Sequence, residues 1–188
     1  NENTAILSGD QMMIEAYKLL AEVPADKLHK VLRLFNKMAT EICEGQQYDV
    51  DFESQEHVTI EEYLKMIRLK TSVLLATALQ IGSYLAGANE AQQEALYQFG
   101  INVGLAFQIQ DDILDVWGDP KTFGKAVGGD ISCNKKTYVY LTAQQLADAE
   151  LAEELHQWYG SVLDDNTEKI AAVKGIFEQL NVRAACEA

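Results

Sequence analysis

Between Gly104 and Pro120 the chain runs GLAFQIQDDILDVWGDP, which puts Asp111, Asp112 and Asp115 within five positions. At roughly 100° of turn per residue, these carboxylates and Gln108 share an arc of about 100° on one helix. Phe, Ile, Leu, Val and Trp side chains fill most of the remaining circle, and no lysine or arginine occurs between Thr71 and Pro120. A helix apolar nearly all round is predicted to be buried, with its one acidic stripe facing an internal cavity. Crowding costs a few tenths of a kcal/mol, roughly, for each like-charge pair at i,i+4. Burial adds a further cost to ionising each carboxyl. A divalent cation relieves both. Hard carboxylate oxygens suit Mg2+, which commonly bridges one or two carboxylates to a substrate phosphate. The ordinary alternative, a solvated acidic face, leaves the apolar surroundings unexplained.

Cations stand in complementary places. On a helix starting near Thr59, Lys70 falls within about 60° of Tyr63, Met66, Ile67, Leu74 and Thr77. Lys65 and Arg68 lie on the opposite side. Lys70 thus projects from the apolar face, aimed at an anionic ligand with Thr71 beside it as a hydroxyl donor; the alternative is a lysine reaching outward from the core edge. After the acidic helix come FGKAVGGD and NKKT, with Lys125, Lys135 and Lys136 among Gly124, Gly128 and Gly129. Taken alone this is a flexible lysine loop; after an acidic stripe it makes a phosphate clamp. GQQYD offers Gln46 and Asp49 at the end of an earlier helix, where both would line the same cavity or simply terminate that helix.

The elements that position these residues are helical. Asn3 or Thr4 is predicted to cap a first helix running to Glu22, before Pro24. A second spans about Asp26 to Glu44, followed by a polar connection, GQQYDVDFESQEHV. Thr59 with Glu62 makes a capping box for a third, reaching Ala86 and ending at Gly87. Asn89 starts the fourth, which ends at Gly118–Pro120. Two more are expected over about Ala143–Gly160 and Asp165–Leu180. No alternating strand pattern occurs. The expected fold class is all-α, one domain over residues 1–188.

Composition narrows the function classes. The 188 residues are 48% hydrophobic, enough for a sizeable core. The formal charge of -14 argues against nucleic-acid binding. It leaves an anionic substrate open, because metal ions invert the local sign. No apolar run reaches the roughly 18 residues that span a bilayer. The three cysteines form no CxxC, and the histidines His29, His57 and His156 stand apart with no metal-ligand spacing. A reduced, cytoplasmic setting is expected.

FQIQDDILDVWGD, with GKAVGGD and NKKTY after it, resembles the second aspartate-rich region of the trans-isoprenyl diphosphate synthases, or polyprenyl synthetases. GQQYD is similar to that family's GQxxD element, LKTS to its KT element, and TAILSGD to the segment leading into its central helices. The resemblance implies an isoprenoid synthase-type bundle of antiparallel helices around a deep cavity. It implies head-to-tail (1'-4) condensation of an allylic prenyl diphosphate with isopentenyl diphosphate, assisted by three Mg2+ ions, and a homodimer for the full-length protein. It assigns Asp111 as the direct metal ligand, with Asp115 metal-facing and Asp112 assisting. Lys70, Lys125 and Lys135 bind the allylic diphosphate, Thr71 and Gln108 lie near the carbocation and departing oxygen, and Gln46 and Asp49 support the site. The family's first DDxxD motif is not found; DVDFE and DDNTE do not substitute for it. The resemblance places that motif, and the helices around it, upstream of Asn1, and makes this chain a C-terminal-side portion that is inactive alone. The competing readings are a non-catalytic or regulatory subunit of a heteromeric synthase, and a class I terpene synthase-like enzyme, which would normally carry an NSE-like motif.

Overall fold

Side-chain caps set most of the helix starts. Asn89 and Gln92 form a capping box at the head of the helix that carries the three aspartates, and Thr59 and Glu62 form another before it. The computed structural model describes residues 1–119, 124, 127–161, 163 and 165–188. Among these the chain is helical, without strands. The elements are α1 (Glu2–Ala21), α2 (Ala25–Ser54), α3 (Ile60–Ile67), a π-helical turn (Arg68–Ser72), α4 (Val73–Leu85), α5 (Glu90–Trp117), α6 (Gly129–Ser132), α7 (Tyr138–Leu146), α8 (Ala149–Gly160), α9 (Thr167–Gln179) and α10 (Val182–Glu187).

Several expectations need correction. Asn1, not Asn3 or Thr4, caps α1 through its side chain. The polar stretch after Glu44 does not connect; α2 continues through it to Ser54. The reason is a stripe at helical spacing, in which Gly45 and Phe52 are buried and Tyr48 is half-buried. The predicted helix over Ala143–Gly160 is two helices. The first starts at Tyr138, capped by Thr137, and a break follows at Ala147, where Asp148 caps α8 by accepting from the Leu151 amide. The helix from Thr59 to Ala86 is interrupted by the π turn. Helix α5 is not buried all round: Phe99, Val103 and Phe107 form an exposed apolar stripe, with Phe107 63% exposed.

Two apolar clusters hold the elements. The larger joins Tyr63, Met66 and Ile67 of α3 to Ile113 and Val116 of α5, Val139 of α7 and Phe177 of α9. The smaller joins Met38 of α2 to Leu69, Val73, Ala76 and Ile101. Each fully buried aliphatic or aromatic side chain contributes about 1.5–3 kcal/mol. Helix α1 buries no residue. It leans on α2 through Tyr17, whose ring meets Phe35 edge-on at 5.3 Å and whose hydroxyl donates to Asn36.

The closest packing is backbone against backbone. A Cβ placed on Gly45 of α2 would lie under 3.0 Å from the backbone at Lys70, one on Gly104 of α5 would lie 2.5 Å from Ser72 Cα, and one on Gly100 would strike Ala76. Helices α2 and α5 thus grip the π turn and the start of α4 from two sides. Nothing lies within 4 Å of a Cβ at Gly82. Gly104→Ala is expected to destabilise the protein by about 1–3 kcal/mol through overpacking. Gly82→Ala, in the last turn of α4 with open space around it, should be neutral or stabilise by about 0.4–1 kcal/mol. Urea titrations of the two variants beside the parent chain measure both.

Candidate active site

The π turn and α5 face a cavity of about 710 Å³, within the usual span of small-molecule sites, roughly 300–1,000 Å³. Lys70, Gln108, Asp111 and Asp112 reach it from these two elements, Asp49 from α2, and Lys135 from the segment between α6 and α7. Its apolar and aromatic walls include Phe52, Met66, Ile67, Tyr140 and Tyr159. The predicted residues therefore largely converge. Gln46 does not: it is exposed on α2, with its amide nitrogen 3.5 Å from Asp49. Lys125 lies outside the described residues.

Asp112 is the most constrained of the acidic residues. It is 3% exposed. One carboxylate oxygen accepts from the Tyr63 hydroxyl at 2.6 Å and from the Tyr138 amide, the first of α7, at 3.0 Å. The other lies 3.4 Å from Gln108 Nε2. Burial pushes Asp112 up to about 7, against the downward pull of these three donors. Burial and the nearby Asp112 charge hold the Tyr63 hydroxyl far above its ordinary value, so it remains a donor. Gln108 turns its amide nitrogen to Asp112, leaving its oxygen to accept from the Thr71 hydroxyl at 3.3 Å. Thr71 meets the site through this contact.

Asp115 does not line the cavity. Its carboxylate accepts from the Asp130 amide at 3.1 Å and from that of Gly129, and its own carbonyl accepts from Gly128 at 2.7 Å. Burial, with the Asp130 charge, raises its pKa above the ordinary range. Asp111 lines the cavity beside Asp112.

Across from them, Lys70 Nζ donates to Asp49 at 2.6 Å. Lys135 Nζ lies 3.4 Å from Asp130. Burial works against the charge of Lys135, but attraction to Asp130 and the hydrogen bond Lys135 donates to it, with Asp49 beyond, leave its pKa raised on balance. Lys136 donates to the Phe52 carbonyl at 2.9 Å, tying this segment to the end of α2. Sequence reasoning overlooked Asp130, Tyr63 and His156, all of which line the cavity. The Gly-Gly-Asp triplet signalled the first, and Tyr63, two helical turns before Lys70, the second. His156 carried no signal.

No described group of three or more Asp, Glu, His or Cys side chains is arranged to hold a metal by itself. The cavity nevertheless carries more carboxylates than lysines. An anion entering it would be repelled unless cations came with it. Asp111 would hold Mg2+ here only with further oxygen donors supplied by a ligand; a cage made wholly of protein ligands does not fit this donor set.

Residues 1–180 match a family model described as polyprenyl synthetase. The chain belongs to the polyprenyl synthetase family. It is 41% identical over 161 residues to the short chain isoprenyl diphosphate synthase of Methanocaldococcus jannaschii, covering 85% of this chain and 49% of that protein. A crystal structure of a geranylgeranyl pyrophosphate synthase superposes with a TM-score of 0.92 at 48% identity, covering 98% of this chain and 57% of that one. The geranylgeranyl pyrophosphate synthase of Corynebacterium glutamicum, solved with isoprenyl diphosphate and magnesium, gives 0.87 at 30% identity, covering 98% and 53%. The fold is accordingly the all-α isoprenoid synthase bundle. The chain spans about half the length of the curated relatives it matches.

The Asp112 environment has a measurable consequence. The folded state holds its proton up to about pH 7, whereas the unfolded chain releases it near the ordinary carboxylate value. Folded protein therefore binds more protons between about pH 4 and 7, and its stability falls as pH rises across that window. Asp112→Asn should make that fall shallower, as read from urea midpoints of metal-free protein over the same range.

Proposed function

We propose that this chain forms the diphosphate-binding side of a prenyltransferase that joins an allylic diphosphate head to tail (1'-4) to isopentenyl diphosphate. The observation that carries the reading is the convergence of Lys70, Lys135 and Asp111 on one cavity that also has an apolar and aromatic wall of Phe52, Met66, Ile67, Tyr140 and Tyr159. The relatives' names and the family membership support it.

In the reaction, the C1–O bond of the allylic diphosphate breaks, the double bond of isopentenyl diphosphate attacks C1, and a proton is lost from the product cation. Lys70 and Lys135 hold the diphosphate as it takes up the electron pair of the broken bond. Lys125 is assigned the same role on the resemblance. Gln108, oriented by Asp112, and Thr71, bonded to the Gln108 amide oxygen, are assigned the carbon side on the resemblance. The apolar walls exclude water that would quench the cation. Asp111 would hold Mg2+, with Asp112 and Asp115 anchoring the neighbouring helices around it; bound there, the ion would neutralise charge on the departing diphosphate. Three such ions, a homodimer and a cytoplasmic location complete the proposal. Cys43, Cys133 and Cys186 are free thiols, and no described helix is long and apolar enough to cross a membrane.

In the full-length protein, Asp111→Ala should lower turnover by about 10²-fold or more while leaving helicity unchanged. Steady-state assays at saturating Mg2+ check this, and near-normal turnover would count decisively against the assigned role.

Residues 1–188 carry a single aspartate-rich helix, whereas diphosphate departure needs charge stabilisation from both sides. Purified residues 1–188, incubated with geranyl diphosphate, isopentenyl diphosphate and Mg2+, should yield no chain-elongated product. Robust elongation would show that carboxylates from one side suffice.

A further inference from the structure

Lys169, in the first turn of α9, is 0% exposed. Among the described residues no carboxylate forms an ion pair with it. Burial lowers its pKa, and the positive end of a helix is an unfavourable place for a cation. As a space-filling residue it is inferior to methionine, which fits a similar volume without either cost. What it provides is two directed hydrogen bonds. Its Nζ donates to Asn134 Oδ1 at 2.5 Å and to the Ser161 carbonyl at 3.0 Å, with the Tyr159 ring centroid 5.9 Å away.

Asn134 occupies a left-handed conformation, φ 57°, which is sparsely populated for residues other than glycine. It immediately precedes Lys135 and Lys136, which line the cavity. The next residue of α9, Ile170, packs on Gly128 so closely that a Cβ there would sit 2.8 Å from its side chain. Consecutive residues of α9 thus brace both ends of the segment from Gly128 to Asn134. On its inner side the same segment is held by Asp115.

We propose that Lys169 is a positioning residue for anion binding: through Asn134, its buried ammonium fixes the turn that presents Lys135 to a diphosphate. The identity of the anion rests on the proposed function; the clamp itself does not. Lys169 touches no substrate. It acts through the backbone of the turn, so its effect on binding vanishes once Lys135 is gone.

The test compares Lys169→Met, Asn134→Ala, Lys135→Ala and the Lys135→Ala/Lys169→Met double variant. Hydrogen exchange reads the clamp without any ligand, through the Lys135 amide bonded to the Asp130 carbonyl and the Thr137 amide bonded to the Lys135 carbonyl. Losing a charged hydrogen bond should speed exchange there by about tenfold or more in Lys169→Met and Asn134→Ala. Unchanged protection in both overturns the proposal. Calorimetric titration with inorganic diphosphate and Mg2+ should show about tenfold weaker binding in Lys169→Met. It should show no further loss when Lys169→Met is added to Lys135→Ala, although the melting temperature falls equally in both backgrounds. Additive losses of affinity overturn it, because they would mark a general structural role. If Lys169→Met does not fold, Asn134→Ala carries the same comparison. If the unaltered chain binds no diphosphate, the proposed function fails, and the exchange result still decides the clamp.

Discussion

Backbone contact between helices is the constraint on which the site depends. Gly45 and Gly104 let α2 and α5 touch the main chain of the π turn from opposite sides. A side chain at either glycine would press on that main chain, at an overpacking cost of about 1–3 kcal/mol. The turn between them carries Lys70 and Thr71, the first paired with Asp49 on α2 and the second with Gln108 on α5. Each gripping helix thus supplies both the glycine that admits the turn and a polar residue that orients its side chain. Packing and chemistry are fixed by the same contacts.

The aspartates of α5 divide their labour. Asp112 accepts from the first amide of α7, and Asp115 accepts from two amides of α6. Helix starts leave backbone N–H groups without partners, and a carboxylate is a strong acceptor for them. Two of the three charges therefore organise neighbouring elements of the site. Asp130, brought into the cavity by the bond from its amide to Asp115, partners Lys135. An acidic helix thereby assembles the basic side of its own pocket.

Much of this was legible in the sequence. Caps at Thr59 and Asn89 and the apolar periodicity of α3 to α5 located those helices, and the odd placement of Lys70 marked the cavity. Local chemistry carries such features, and it can be read along the chain. What was missed depends on residues distant in sequence. The extension of α2 to Ser54 follows from burial of Gly45 and Phe52, which polar neighbours disguise. The outward face of α5 was misjudged because an apolar residue does not declare whether anything covers it. The orientation of Asp115 away from the cavity depends on the Gly129 and Asp130 amides, beyond reach of any helical wheel. The burial of Lys169 depends on Asn134 and Ser161, in two different connecting segments.

The π turn also works as a phase shifter. One extra residue in a helical turn rotates everything after it by about 100° relative to an unbroken helix. Before the turn, Tyr63, Met66 and Ile67 point into the larger apolar cluster; after it, Val73 and Ala76 point into the smaller one. One continuous helical run is thereby shared between two cores. The length of this segment is therefore information in its own right. Removing a single residue from Arg68–Ser72 would restore a regular helix that no composition-based measure would fault, yet one core would lose its inward face.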